Sequence, residues 1–199
     1  MKYRYITIER QYGSGGSKIA RCLSEKTGIP CYGHEILEIA AKKESLSVSE
    51  MEQYEEKVTS SFLYSLYTFS QMEQSNGNML TNEGKLFVAE RAVVRELADK
   101  GSAIFLGHCA ADILSDRKDI LRVFIKADKE SKKKRIMEEY GIQENMVAPT
   151  AKRFDKKRAN YYSFNTANKW DDLYHYDVVL DSCVIGINGC VELLAGLTG

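Results

Sequence analysis

Apolar positions in this chain come in short runs, and the stretches between them repeat at helical spacing. Residues 3–8 alternate, with Ile6 and Ile8 on one face, and predict a strand. The next segment sets Ile19, Cys22, Leu23 and Lys26 on one side of a helix and stops at Gly28, a natural C-terminal cap. IPCY at 29–32 predicts a short strand, and 35–44 a helix with Ile36, Leu37, Ala40 and Ala41 as its apolar stripe. Ser47 and Glu50 have capping-box spacing, so a helix is expected from there to about Gln74, broken by SNGN at 75–78. A helix over 83–100 turns Leu86, Val93, Val94 and Leu97 inward and ends at Gly101. AIFL at 103–106 has the continuous apolarity of a strand buried on both faces. A short helix near 109–115, a strand at 120–125, an Asp128-capped helix at 129–140, a basic helix at 150–163, a strand at 177–180 and a helix from about Asn188 complete the chain.

Strands separated by helices predict an α/β fold, a parallel sheet with helices on both faces. Ligands of such sheets bind at the carboxyl ends of the strands. That rule gathers Arg10 to Ser17, Gly33-His34, Gly107-His108 and Asp181-Ser182 around one crevice.

Composition narrows the setting. The 199 residues suit a single domain, with 44% hydrophobic and 28% charged positions. Formal net charge is zero, which gives no field for nucleic acid or membrane binding. No 18-residue apolar run occurs, and the N-terminus lacks the apolar core of a signal peptide. Five cysteines without a Cys-x-x-Cys pair fit reduced thiols, so a cytoplasmic location is expected. Three scattered histidines show no metal-ligand spacing.

The chemistry concentrates at the first strand–helix turn. Gly13, Gly15 and Gly16 let the backbone approach a ligand closely, and the helix that follows opens with unpaired N–H groups. Such a turn suits a phosphate. The standard phosphate loop reads Gly, four residues, then Gly-Lys-Ser/Thr. Here Arg10 holds the first glycine position, Gly15 the second, Gly16 the lysine position and Ser17 the magnesium-side hydroxyl. Lys18 and Arg10 are the two candidates for the missing cation, and Ser14 lies within the loop. Phosphoryl transfer also needs cations that close over the transferring group. Lys152, Arg153, Lys156, Lys157 and Arg158, interleaved with Phe154, Tyr161 and Tyr162, form a candidate lid, continued by Lys169. Arg135 is the expected donor-side contact in the run 132–135, and His34 and His108 earn consideration because they follow strand ends.

The blocks ITIERQYGSGG, YGHEILEIAAK, RAVVRELADKGSAIFLGHCAADIL, LRVFIKADKESKKKRIMEEYGI, DKKRANYYSFNTANKW and YDVVLDSCVIGINGCVELL together resemble the cytidylate kinase-like proteins, a branch of the bacterial nucleoside monophosphate kinases. The match spans nearly the whole chain and is weakest between about 45 and 82. The resemblance implies a single P-loop kinase domain over 1–199, with five parallel strands in the order 2-3-1-4-5. It implies an acceptor segment at about 33–80 and a lid at about 141–170. It implies transfer of the γ-phosphate of ATP, with magnesium, to a nucleoside monophosphate such as CMP or dCMP, by a monomer or homodimer. On this basis Gly13, Ser14, Gly15, Gly16, Ser17 and Arg135 would hold ATP, with Ser17 nearest magnesium. Arg10, Lys18, Lys157 and Arg158 would act on the transferring phosphate, and Tyr32, His34, His108, Arg153 and Lys169 on the acceptor. The chain departs from the family pattern at Gly33, where an aspartate is usual, and at His108, where an arginine is usual. A non-catalytic nucleotide-binding role, or a non-nucleotide acceptor, remains the alternative reading.

Overall fold

In a computed structural model, which describes residues 3–44, 49 and 82–198, the strands form one parallel sheet ordered β2-β3-β1-β4-β5. The strands are β1 (Tyr5–Arg10), β2 (Cys31–Tyr32), β3 (Ala103–Leu106), β4 (Ile120–Lys126) and β5 (Val178–Asp181). β1 is central, pairing Tyr5 to Ile8 with Ala103 to Leu106 on one side and Tyr5 to Arg10 with Ile120 to Ile125 on the other. This is the strand order implied by the resemblance.

Among the described residues the helices are α1 (Gly16–Thr27), α2 (His34–Lys43), α3 (Asn82–Lys100), α4 (Ala110–Ile113), α5 (Lys129–Tyr140), α6 (Glu144–Asn165) and α7 (Gly186–Leu197). α1 and α7 cover one face of the sheet, where Ile6, Ile8, Ile104 and Val123 meet Ile19, Leu23, Cys190 and Leu194. α2, α3 and α4 cover the other, where Tyr5 and Phe105 meet Ile36, Leu37, Leu86, Val93 and Ile113. Alternate residues of β1 thus serve opposite cores, the pattern of a strand buried on both faces. Each such buried aliphatic side chain contributes about 1.5–3 kcal/mol. A third cluster, of Phe124, Trp170, Tyr176, Tyr161 and Tyr162, packs the basic helix against β4.

Local signals hold where they are strongest. Gly28 and Gly141 close α1 and α5 in left-handed conformations, and Asp128 caps α5 by accepting from Ser131 N at 2.8 Å. The departures are boundary shifts. β1 runs two residues further than expected, because its pairing with β4 continues to Arg10. α6 begins at Glu144 rather than 150, with Pro149 inside it. Val147 is buried and Glu144 pairs with Lys133 of α5, so tertiary contact carries the helix through the proline. Lys26, expected on the apolar side of α1, is exposed and pairs with Glu192 of α7 at 2.9 Å. The helix expected over 47–74 and the turn at 75–78 lie outside the described residues.

Candidate functional site

The turn after β1 is wound tightly enough to exclude side chains. Gly13 and Gly15 have φ of +75° and +79°. A Cβ on Gly13 would sit 2.8 Å from the Ile136 side chain, and one on Gly15 2.5 Å from Ile187 Cδ1. Positive φ together with such contacts restricts both positions to glycine. Gly15 is also the N-cap of α1, so the helix's first N–H groups open toward the loop. The loop is pinned from behind. Arg135 Nη1 donates to Ser14 O at 3.0 Å and to Ser182 Oγ at 2.9 Å, and Ser182 Oγ donates to Ser14 O at 2.6 Å. Ser14 Oγ is enclosed with no partner among the described residues.

In front of the loop an open cleft is lined by Arg10 to Gly13, Gly15 to Lys18, Glu139, Tyr140 and Arg158. Two guanidinium groups border it. Arg158 Nη1 donates to Arg10 O at 2.9 Å. Arg10 Nε is enclosed with no partner among the described residues. Burial, and then the charge of Arg158, lower the Arg10 pKa to about 10. Burial also lowers that of Arg158, against the opposing pull of Asp155. Two desolvated cations side by side are costly, and an anion between them relieves both penalties.

α6 is fastened to the loop as well as facing it. Tyr12 N donates to Asp155 Oδ1 at 2.6 Å, and the Tyr12 ring stacks on Phe154 at 4.5 Å and on Tyr140 at 5.3 Å between centroids. Burial pushes the Asp155 carboxyl up, against the Tyr12 N–H and the Arg158 charge.

A second polar group lies at the end of β3. Gly107, His108 and Cys109 all have positive φ, at +83°, +56° and +53°. Two successive non-glycine residues in that region store strain, which clusters at functional sites. Glu90 of α3 is wholly buried; its Oε1 lies 2.9 Å from His108 Nδ1, and its Oε2 accepts from Tyr161 OH. Glu9, also buried, accepts from Trp170 Nε1 at 3.0 Å. At the start of α2, Gly33 N donates to Glu35 Oε2 at 2.9 Å and holds that carboxyl below its usual range.

The expected residues therefore divide. Arg10, Gly13, Gly15, Gly16, Ser17, Lys18 and Arg158 line the cleft. Arg135 buttresses the loop from behind through Ser14 and Ser182. Tyr32 packs against Phe105, and Lys157 is half-buried on α6. His34 is exposed and lies 3.7 Å from Glu38, Arg153 is exposed over the Phe154 ring, and Lys169 is exposed. Sequence reasoning placed Ser182 at the crevice but passed over Asp155, Glu9 and Glu90. A signal for Glu90 existed: it is an acid set at helical spacing among Leu86, Val93, Val94 and Leu97. Asp155 stood out likewise, as the one acid within a basic run.

The model of the cytidylate kinase-like family matches residues 5–183. Among solved structures the chain is similar to an uncharacterized protein from Eubacterium ventriosum ATCC 27560, at 26% identity over 96% of both chains and a TM-score of 0.72. Shikimate kinase from Bacteroides thetaiotaomicron shares the fold at 12% identity over 97% of both chains, with a TM-score of 0.53. TT1252 from Thermus thermophilus shares it at 16% identity over the whole of both chains, with a TM-score of 0.55. No curated protein matches the chain. Among the described residues no helix is long and apolar enough to cross a membrane.

Proposed function

The chain belongs to the cytidylate kinase-like family, and on that premise we propose that it is an ATP-dependent phosphotransferase for a small-molecule acceptor. The observation that carries this reading is the loop. Its two positive-φ glycines, its opening onto the N-terminus of α1 and its Ser14 Oγ and Arg10 Nε, unpartnered among the described residues, match the needs of a polyphosphate. Arg158, reaching the loop from α6, is the lid cation of this reading.

The reaction breaks the bond between the γ-phosphorus and the β–γ bridging oxygen, whose electron pair leaves with ADP. An acceptor oxygen makes the new P–O bond. The protein's part is to position the two and to neutralise charge. The loop N–H groups and the two arginines would bear the donor's charge, and the aromatic stack on Tyr12 would keep water off the loop's outer side. Magnesium would arrive with ATP. Among the described residues no cluster of three His, Cys, Asp or Glu side chains is placed to hold a metal, whereas the exposed Ser17 hydroxyl suits an ion held mainly by phosphate and water. When bound, magnesium supplies charge neutralisation at the phosphate oxygens.

The acceptor in keeping with the family is a nucleoside monophosphate, CMP or dCMP first, held between the end of β3 and the segment at about 33–80. The lid would be the segment at about 141–170. A hydroxyl-bearing, non-nucleotide acceptor is the second reading, favoured by the carboxylates Glu9, Glu35 and Glu90 that surround His108 and Arg10. Coupled ADP release with CMP, dCMP, UMP and AMP offered separately tests both. Turnover that prefers CMP supports the first reading. ATP binding by calorimetry without turnover on any of the four moves the assignment to a different acceptor or to a non-catalytic nucleotide-binding role.

A further inference from the structure

Arg10 and Gly16 compete for one space. A Cβ added to Gly16 would lie 2.5 Å from Arg10 Cβ, 2.8 Å from Arg10 Cγ and 3.4 Å from Ile125 Cβ. Arg10 lies on a central strand and Gly16 opens a helix, so neither backbone has room to retreat. In the standard loop the first position is glycine and the penultimate position carries the lysine. This chain holds the reverse arrangement, a side chain at 10 and none at 16. The 2.5 Å contact explains why the two departures occur together: a side chain at either position demands glycine at the other.

Resting on the kinase reading above, we propose that Arg10 takes the place of the loop lysine, contacting the terminal phosphates of the donor nucleotide from the β1 side of the loop. Three features support it. Arg10 borders the cleft in front of the loop, and its Nε is enclosed without a partner among the described residues. Its Nη1 reaches the end of β3, where it lies 2.8 Å from the position a Gly107 Cβ would take. The guanidinium therefore spans from the donor loop to the acceptor end of the sheet, the path a transferred phosphoryl group takes. Its charged neighbours are Arg158, which opposes its charge, and Glu9, which supports it. Lys18, the other candidate cation, sits exposed in the first turn of α1.

The test is calorimetric titration of the full chain with the magnesium complexes of AMP-PNP and ADP, alongside thermal unfolding. Arg10→Gln weakens AMP-PNP binding by about 10- to 100-fold, the scale of a lost charge-assisted contact, and weakens ADP less. Arg10→Lys retains binding within about tenfold. Gly16→Lys alone lowers Tm sharply, and the exchange Arg10→Gly with Gly16→Lys restores both Tm and AMP-PNP binding. Absent binding by the wild-type protein overturns the kinase reading and this assignment with it. Wild-type binding that Arg10→Gln leaves unchanged overturns the assignment alone. Equal losses in Arg10→Lys and Arg10→Met, or a larger loss in Lys18→Gln than in Arg10→Gln, overturn it too. A Gly16→Lys variant that folds and binds as well as the double exchange removes its steric basis.

Discussion

Asp155 Oδ1 accepts a hydrogen bond from the backbone nitrogen of Tyr12 at 2.6 Å, so the basic helix is bonded directly to the glycine-rich loop. The two residues are separated by 143 positions. Moving α6 away would break this bond and unstack Phe154 from Tyr12 together, which couples the position of α6 to the shape of the loop.

Asp155→Ala leaves the Tyr12 N–H unpaired and takes a counter-charge from Arg158. The expected loss is about 1–3 kcal/mol, read as a fall in Tm of several degrees. The folded-state pKa of Asp155 is raised by burial, so the folded protein binds its proton more tightly than the unfolded chain does. This carboxyl therefore lowers stability as pH rises from about 4 through its folded pKa. Asp155→Asn removes that component, and urea unfolding of both proteins across pH 4–7 measures it.

Glu90 is the anchor of the β3 end, holding His108 and Tyr161 at once. Glu90→Ala removes the buried carboxylate that both partners share and costs about 3–5 kcal/mol. Glu90→Gln keeps an oxygen and costs less. Because the partners share one carboxylate, Glu90→Ala and Tyr161→Phe combine to less than the sum of their separate effects in a double-mutant cycle of unfolding free energies. Additive effects would mean that the buried group does not act as a unit.

Arg135→Lys keeps the charge but loses the planar fork that bridges Ser14 and Ser182. The loop loosens, and affinity for the magnesium complex of AMP-PNP falls by about tenfold, equivalent to about 1.4 kcal/mol. Calorimetry checks it; if Arg135 touched only the nucleotide, Tm without nucleotide would stay unchanged, whereas a buttress lowers it.

Asp181 has its carboxyl lowered to about 2 by the Cys183 thiol and then by Lys126. A depressed carboxyl stabilises the folded state above the unfolded value of about 4, and that contribution fades as pH falls toward 2. Asp181→Asn therefore lowers stability at neutral pH and makes stability fall less steeply between about pH 4 and pH 2, so acid unfolding does not begin at a lower pH than in the wild type. Circular dichroism during acid titration reports the difference.

The fold was legible because its signals are local. Continuous apolar runs marked buried strands, as AIFL did for β3, and Gly28, Asp128 and Gly141 marked helix ends through φ and capping preferences that depend on a few neighbours. The loop was legible for the same reason, since glycine spacing is a local property. Boundaries that rest on remote partners were not. β1 extends to Arg10 because β4 pairs with it that far, and α6 passes Pro149 because Val147 is buried and Glu144 pairs across to α5.

The sequence by itself determined the parallel α/β architecture, the phosphate loop and the basic segment that faces it. Only the tertiary structure decided how those parts meet: that the Arg10 side chain occupies the space beside Gly16, that Arg135 stands behind the loop instead of in the cleft, that Asp155 fastens α6 to Tyr12, and that Glu90 joins His108 to Tyr161. Among these contacts, Tyr12–Asp155 and Glu90–Tyr161 join residues 143 and 71 positions apart. Such pairs leave no periodicity in the chain. They exist because the strand order brings separate carboxyl-terminal ends to one edge, and burial there makes each polar group depend on the partner it meets.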